Sequence, residues 1–288
     1  MKPLHTNRTN YHSHSLFCDG RADMRDFVRF ALSHRFSSYG FSGHAPLPFS
    51  TAWTMEWDRM DDYISEFRRL RTLYRGQIEL YIGLEIDYLD ASHNPASPQF
   101  AALPLDYRIG SIHMLPDIDG HWIDVDLPYD KFSLMVNEHF GGDIESLVRL
   151  YYKHSRQMLA AGGFNIVGHA DKIHYNASSY RPQLTESLWY DSLVRAYFEE
   201  IAARGYQMEV NTKSYEELGV FFPDERYFSY IHALGIPVQV NSDAHYPDRI
   251  DNGRRAALEA LYQAGYRFVM ELHGGFWQPV PISLNGRL

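Results

Sequence analysis

The chain has 288 residues, 45% hydrophobic and 22% charged, with a formal net charge of −9. That length suits one large α/β domain spanning residues 1–288, and the composition is that of a globular protein able to bury a sizeable core. The acidic balance and the lack of any basic run argue against general nucleic-acid binding, and no apolar run approaches the roughly 18 residues of a membrane span. Residues 1–10 carry no apolar segment of the signal-peptide kind, so a cytoplasmic protein is expected. The single cysteine, Cys18, permits no intrachain disulfide and fits a reducing compartment. It is expected to be a small, semi-buried packing residue rather than a reactive thiol. The sequons at Asn7 and Asn176 carry no weight without a secretory signal. Histidine is the compositional outlier, with 15 residues.

In chain order, a first short apolar run is predicted over residues 10–14 and contains His12 and His14, with Asp19 in the turn that follows. A helix-period segment over 24–34 leads to a run over 37–42, and His44 stands just beyond it between Gly43 and Pro46. A helix over 57–74 leads to the run 78–87, which places Glu85 inside an otherwise apolar strand, where an unpaired charge is costly. The next run, 107–113, ends on His113. A helix over 144–161 stops at Gly162-Gly163, and the run 164–169 ends on His169, with Asp171, Lys172 and His174 next. A helix over 188–204 stops at Gly205, and the run 206–211 leads to Lys213. A helix over 225–234 stops at Gly235, and the run 237–241 leads to Asp243, His245 and Arg249. A helix over 252–264 follows.

Strand and helix alternate about seven times with no Gly-rich dinucleotide turn, which favours a parallel (β/α) barrel over a doubly wound sheet. The chemistry-bearing residues fall at or just past the ends of the short runs. In such a barrel those ends meet on one rim, where active sites are built. His12 and His14, two apart on a strand, point to one face and can grip one ion. Taken together, His12, His14, Asp19, His44, Glu85, His113, His169, Asp243 and His245 form a nine-residue set of nitrogen and oxygen donors without thiolate. Such a set points to a catalytic rather than a structural metal site, with two or three ions, and is compatible with Zn, Fe or Mn.

Six motifs in this order, His12-Ser13-His14, Ser42-Gly43-His44-Ala45-Pro46, Gly83-Leu84-Glu85-Ile86-Asp87, Gly110-Ser111-Ile112-His113, Gly168-His169-Ala170-Asp171 and Asn241-Ser242-Asp243-Ala244-His245, resemble those of the polymerase and histidinol phosphatase (PHP) family, in its monofunctional histidinol-phosphatase branch. The resemblance runs from about Asn10 to Arg249 and implies a distorted (β/α)7 barrel with a trinuclear metal centre. It implies that His12, His14, Glu85 and Asp243 hold a first ion, that Glu85 bridges to a second held by His113 and His169, and that Asp19, His44 and His245 hold a third. Asp19 stands where some members have histidine. The loop from Ala45 to Trp57 and the stretch from His139 to Ile144 also resemble that branch.

The reaction so implied is hydrolysis of histidinol phosphate in histidine biosynthesis, by attack of a metal-bridging hydroxide on phosphorus. Glu85, Asp243 and His245 would serve the reacting centre. Three divalent ions against three carboxylates leave roughly +3 locally, enough to attract a dianion to an acidic protein. Lys172, Lys213 and Arg249 are the expected phosphate-binding cations. Asp171 or His174 is the expected proton donor to the leaving alkoxide, and Phe49, Trp53, Glu56 and Trp57 are candidates for the organic end of the pocket. Other readings are the same chemistry on another small phosphomonoester or nucleotide, an amidohydrolase-type barrel (which would usually bridge its metals with a lysine), and a non-enzymatic metal-binding protein. The expected partner is a small-molecule phosphomonoester, with neither nucleic acid nor membrane.

Overall fold

The computed structural model describes residues 7–284. Along the chain run β1 (Thr9–Asn10), α1 (Met24–Ser33), β2 (Ser38–Phe41), α2 (Met60–Leu73), β3 (Glu79–Asp87), α3 (Pro98–Ala101), β4 (Tyr107–Ser111), β5 (Met114–Pro116), β6 (Trp122–Asp124), α4 (Tyr129–Phe140), α5 (Ile144–Ala161), β7 (Ile166–Val167), α6 (Ile173–Tyr180), α7 (Leu188–Arg204), β8 (Gln207–Asn211), α8 (Tyr215–Leu218), α9 (Phe228–Ala233), β9 (Val238–Asn241), α10 (Arg254–Gln263), β10 (Phe268–His273) and β11 (Phe276–Pro281). Seven strands form one sheet in the order β1-β2-β3-β4-β7-β8-β9, every pair parallel. The expected (β/α)7 barrel is therefore the observed architecture. No described helix is long and apolar enough to cross a membrane.

The helices form where one-sided apolar spacing meets a local start or stop signal. In α5, Ile144, Leu147, Val148, Tyr151, Ser155, Met158 and Leu159 are buried at helical spacing. The Asp143 carboxylate accepts the Ser146 N–H at 3.0 Å, which caps the first turn, and Gly162 follows the last turn at φ 71°. The apolar faces of α5, α7 and α10 share one core with β7 to β9, α4 packs on α5 and α6 at its edge, and α1 and α2 share a second core with β2 and β3.

The barrel closes between β1 and β9 without a continuous ladder. Ser13 and Ala244 form a single parallel bridge, with the His14 N–H on the Ala244 carbonyl at 2.9 Å. Below it two asparagine side chains take the place of strand partners: the Tyr11 N–H donates to Asn241 Oδ1 at 2.9 Å, and the Ser242 N–H to Asn10 Oδ1 at 2.7 Å. This explains why the run predicted over 10–14 is ladder-paired only at Thr9–Asn10. Further departures from expectation are the helices α4 and α6, the short helices α3 and α8, and the β5–β6 and β10–β11 hairpins, which lie in stretches where no element was expected.

The β10–β11 hairpin seals the N-terminal end of the barrel. Leu272 and Trp277 pack with Tyr11, Tyr81, Tyr107, Ile109 and Ile166, and the Leu272 N–H donates to the Tyr11 hydroxyl at 2.7 Å. The Tyr107 side chain crosses the interior from β4, its hydroxyl reaching the carbonyls of Tyr11 at 2.6 Å and Phe41 at 3.1 Å. Gly40 and Gly83 leave room for that ring, because a Cβ on Gly83 would lie 2.6 Å from Tyr107 Cε2. Gly83→Ala is accordingly expected to destabilise the protein by about 1–3 kcal/mol through overpacking. Denaturant unfolding checks this, and an unchanged midpoint would contradict the tight crossing.

Candidate metal centre

The C-terminal ends of the same strands carry the nine predicted donors, and all nine meet. His12 and His14 follow β1, His44 follows β2, Glu85 lies late in β3, His113 follows β4, His169 follows β7, and Asp243 and His245 follow β9. Glu85 is at the middle. Its Oε2 lies 3.0 Å from both His12 Nε2 and His44 Nδ1, and 3.6 Å from His14 Nε2. Its Oε1 lies 2.9 Å from His169 Nε2 and 3.5 Å from His113 Nε2. Asp243 Oδ1 stands 3.0 Å from His14 Nε2 and 3.6 Å from His245 Nδ1. Asp19 Oδ2 stands 3.1 Å from His245 Nε2, and Asp19 Oδ1 is 3.9 Å from His44 Nε2. Asp243 adopts φ 47°, a left-handed conformation that aspartate tolerates better than most residues and that aims its carboxylate at the histidines.

These residues fit divalent metal ions. His12 Nε2, His14 Nε2, Asp19 Oδ1, His44 Nδ1 and Glu85 Oε2 are buried and make no hydrogen bond although their neighbours stand 3–4 Å away. Donor atoms that crowd together without bonding one another are arranged around shared cations. Three overlapping groups bring their donor atoms within 4.8 Å of one another: His12, His14 and Asp243; His44, Glu85 and His113; and His14, Asp19, His44 and His245. Burial opposes ionisation of Glu85, but His12, His44 and His113 outweigh it and hold the carboxyl well below its usual range.

A ring of further residues, not foreseen from the sequence, fixes the histidines. Both oxygens of buried Glu209 on β8 take His12 Nδ1, at 3.0 and 2.9 Å, and Glu209 also accepts the His169 N–H and the Asn211 and Asn241 side-chain amides. Asp87 takes His113 Nδ1 at 3.1 Å and the His113 N–H at 2.7 Å. With the proton held on Nδ1, each Nε2 presents a lone pair to the centre. The signals were present: Glu209 is a carboxylate in an apolar run, as Glu85 is, and Asp87 lies two residues from Glu85 on the same strand face.

A cavity of 640 Å³ opens over Asp19, Asp243 and His245. Lys213 and Lys172 line it as expected. Lys213 Nζ stands 3.3 Å from Asp243 Oδ2, and Lys172 Nζ 3.2 Å from Asp126 Oδ2. Burial works against the Lys213 charge, but Asp243, Asp126 and Asp19 outweigh it and raise its pKa. Arg249 reaches only the outer rim, where it pairs with exposed Glu217 at 2.6 Å.

The expected proton donors are placed differently. Asp171 is fully buried, accepts the Asp224 N–H at 3.0 Å and lies 3.4 Å from His174 Nδ1; the His174 ring packs on Phe222. Neither lines the cavity; they brace the wall that carries Lys172 and Phe222. Of the aromatic candidates, Trp53 stands edge-on to His44 and His113, with centroids 4.7 and 5.4 Å away, and Phe49 packs beside it. Trp57 instead stacks on Phe100 and Glu56 accepts from Ser50 at the surface, both away from the centre. Cys18 Sγ lies 3.6 Å from His14 Nδ1, and burial pushes its thiol up to about 12, which fits a packing residue.

The PHP domain family matches residues 10–213 of the chain. The chain is similar to the histidinol-phosphatase of Bacillus subtilis, 26% identical over 265 residues, which cover 86% of this chain and 97% of that one. Among solved structures it is similar to a Listeria monocytogenes protein assigned as a histidinol phosphatase, with TM-score 0.77 and 20% identity, covering 86% and 99% of the two chains. It is also similar to the histidinol phosphate phosphatase of Lactococcus lactis, solved with zinc, L-histidinol and phosphate, with TM-score 0.68 and 18% identity, covering 95% and 99%. At these identities the structural likeness carries the fold, the seven-stranded parallel barrel described above.

Proposed function

The chain belongs to the polymerase and histidinol phosphatase (PHP) family, and from that premise we propose that it is a cytoplasmic, metal-dependent phosphatase that hydrolyses L-histidinol phosphate to L-histidinol and phosphate in histidine biosynthesis. The observation that carries this reading is the set of unbonded, buried donor atoms around Glu85, beside a cavity lined by Asp19, Asp243 and His245 together with Lys172 and Lys213. His12, His14, Glu85 and Asp243 would hold a first divalent ion, Glu85, His113 and His169 a second, and Asp19, His44 and His245 a third, with Zn, Fe or Mn suited to the mixed nitrogen and oxygen donors. When bound, such ions polarise phosphoryl oxygens and lower the pKa of a water to about 7, which supplies the nucleophile at neutral pH.

The chain's own groups do the rest. Glu209 and Asp87 keep the protons of His12 and His113 on Nδ1. The Lys213 ammonium, beside Asp243, binds phosphoryl oxygens at the floor, and Lys172 binds them from the facing wall. Asp171 and His174 hold that wall in place.

Phosphate release measured on metal-loaded protein across histidinol phosphate, nucleotides and sugar phosphates tests the reading. Histidinol phosphate is expected to be the best substrate by at least about tenfold in kcat/KM, with loss on chelation and recovery on adding metal back. A nucleotide or sugar phosphate hydrolysed faster would reassign the substrate. Full activity in protein shown by elemental analysis to be metal-free would overturn the mechanism.

A further inference from the structure

Four carboxylates line the cavity. Asp19 and Asp243 face the metal centre, and Glu217 is tied to Arg249 at the exposed rim. The fourth, Asp126, follows β6 and is three-quarters buried beside Lys172. A site that only had to hold a phosphate dianion between Lys172 and Lys213 would gain nothing from this acid. A fixed negative charge a few ångströms from the dianion repels it and occupies one of the two lysines. Burial disfavours the Asp126 charge, yet Lys172, Lys213 and His113 outweigh it and keep the group ionised. Tyr129 and Tyr175 line the same cavity.

Resting on the phosphatase reading above, we infer that Asp126 is the specificity residue of the site, binding the cationic end of the substrate, an ammonium or imidazolium carried by the same molecule as the phosphate. The Lys172–Asp126 pair is then a placeholder for a zwitterion. On binding, the phosphoryl oxygens take Lys172 and the substrate cation takes Asp126, so two ion pairs replace one and no buried charge is left alone. An uncharged ester can make only the first of these pairs, and must leave Asp126 competing with it for Lys172. The cavity thereby discriminates by charge on the alcohol and not only by shape.

The test compares wild-type, Asp126→Asn and Asp126→Glu proteins, all metal-loaded, on histidinol phosphate and on p-nitrophenyl phosphate, which has no cation. Asp126→Asn, close to isosteric, is expected to lower the ratio of kcat/KM for histidinol phosphate over p-nitrophenyl phosphate by about 10- to 100-fold, mainly through KM, and Asp126→Glu to restore most of it. Calorimetric binding of L-histidinol should weaken by a similar factor in Asp126→Asn. A purely structural role for Asp126 as partner of Lys172 predicts equal changes for both esters, and an unchanged ratio with unchanged histidinol affinity would overturn the inference. Wild-type protein that hydrolyses neither ester would instead remove the phosphatase reading, while histidinol affinity still decides the role of Asp126.

Discussion

Replacing Glu85 with alanine is expected to lower kcat/KM for phosphate release by at least about 10³-fold, since a metal's polarising effect amounts to several kcal/mol and each 1.36 kcal/mol is tenfold in rate. No other side chain in the centre has so many partners. Four histidines from four strand ends stand within 3.5 Å of its two oxygens, and Ser111 donates to Oε1 at 2.7 Å. Alanine removes the one group that touches donors of every proposed ion. The barrel should survive, because the truncation leaves the strand ladders of β3 intact. Elemental analysis, circular dichroism and steady-state kinetics on the same preparation check this. A variant with full metal content and activity within tenfold of wild type would sink the central role of Glu85.

The second large effect lies outside the donor set. Glu209→Ala is expected to cost about 3–5 kcal/mol of stability, because it strips a buried acid from His12 and from three other donors at once. It should also weaken metal binding by about 10- to 100-fold, since His12 loses the partner that holds its proton on Nδ1. Urea unfolding reads the first loss and competition titration with a chromogenic chelator the second. Metal affinity equal to wild type would mean that His12 is oriented by something other than Glu209. Glu209→Gln separates the two effects: it keeps the volume, but its amide nitrogen cannot accept where the second carboxylate oxygen did.

The sequence makes most of the donor set legible, and the reason is topological. In a parallel barrel every strand points the same way, so residues at the ends of separate runs share one rim, and short runs are readable one at a time. Glu85 was visible because a lone carboxylate in an apolar strand demands a partner, and Glu209 makes the same demand, masked by its neighbour Lys213. Asp126 leaves no such trace. It sits in a loop, and its place opposite Lys172 depends on how β5 and β6 fold back over the rim. The β10–β11 hairpin lies beyond the last strand–helix unit, and its role is set by the shape of the barrel floor, which no local pattern reports. Asp171 and His174 misled for a related reason: proximity in sequence to His169 says nothing about whether the first turn of α6 faces the cavity or the wall behind it.

The closure between β1 and β9 has a thermodynamic consequence. One bridge and two asparagine side chains are a light fastening for a barrel of seven strands. His12 and His14 lie on one lip of that seam, Asp243 and His245 on the other. Any cation held between them acts as a buckle, so its binding free energy is also barrel-closing free energy, growing as RT ln(1 + [M]/Kd) with the free metal concentration. Catalyst and clasp are then the same atoms, and metal supply sets how firmly the polypeptide hoop is shut as well as how fast it turns over substrate.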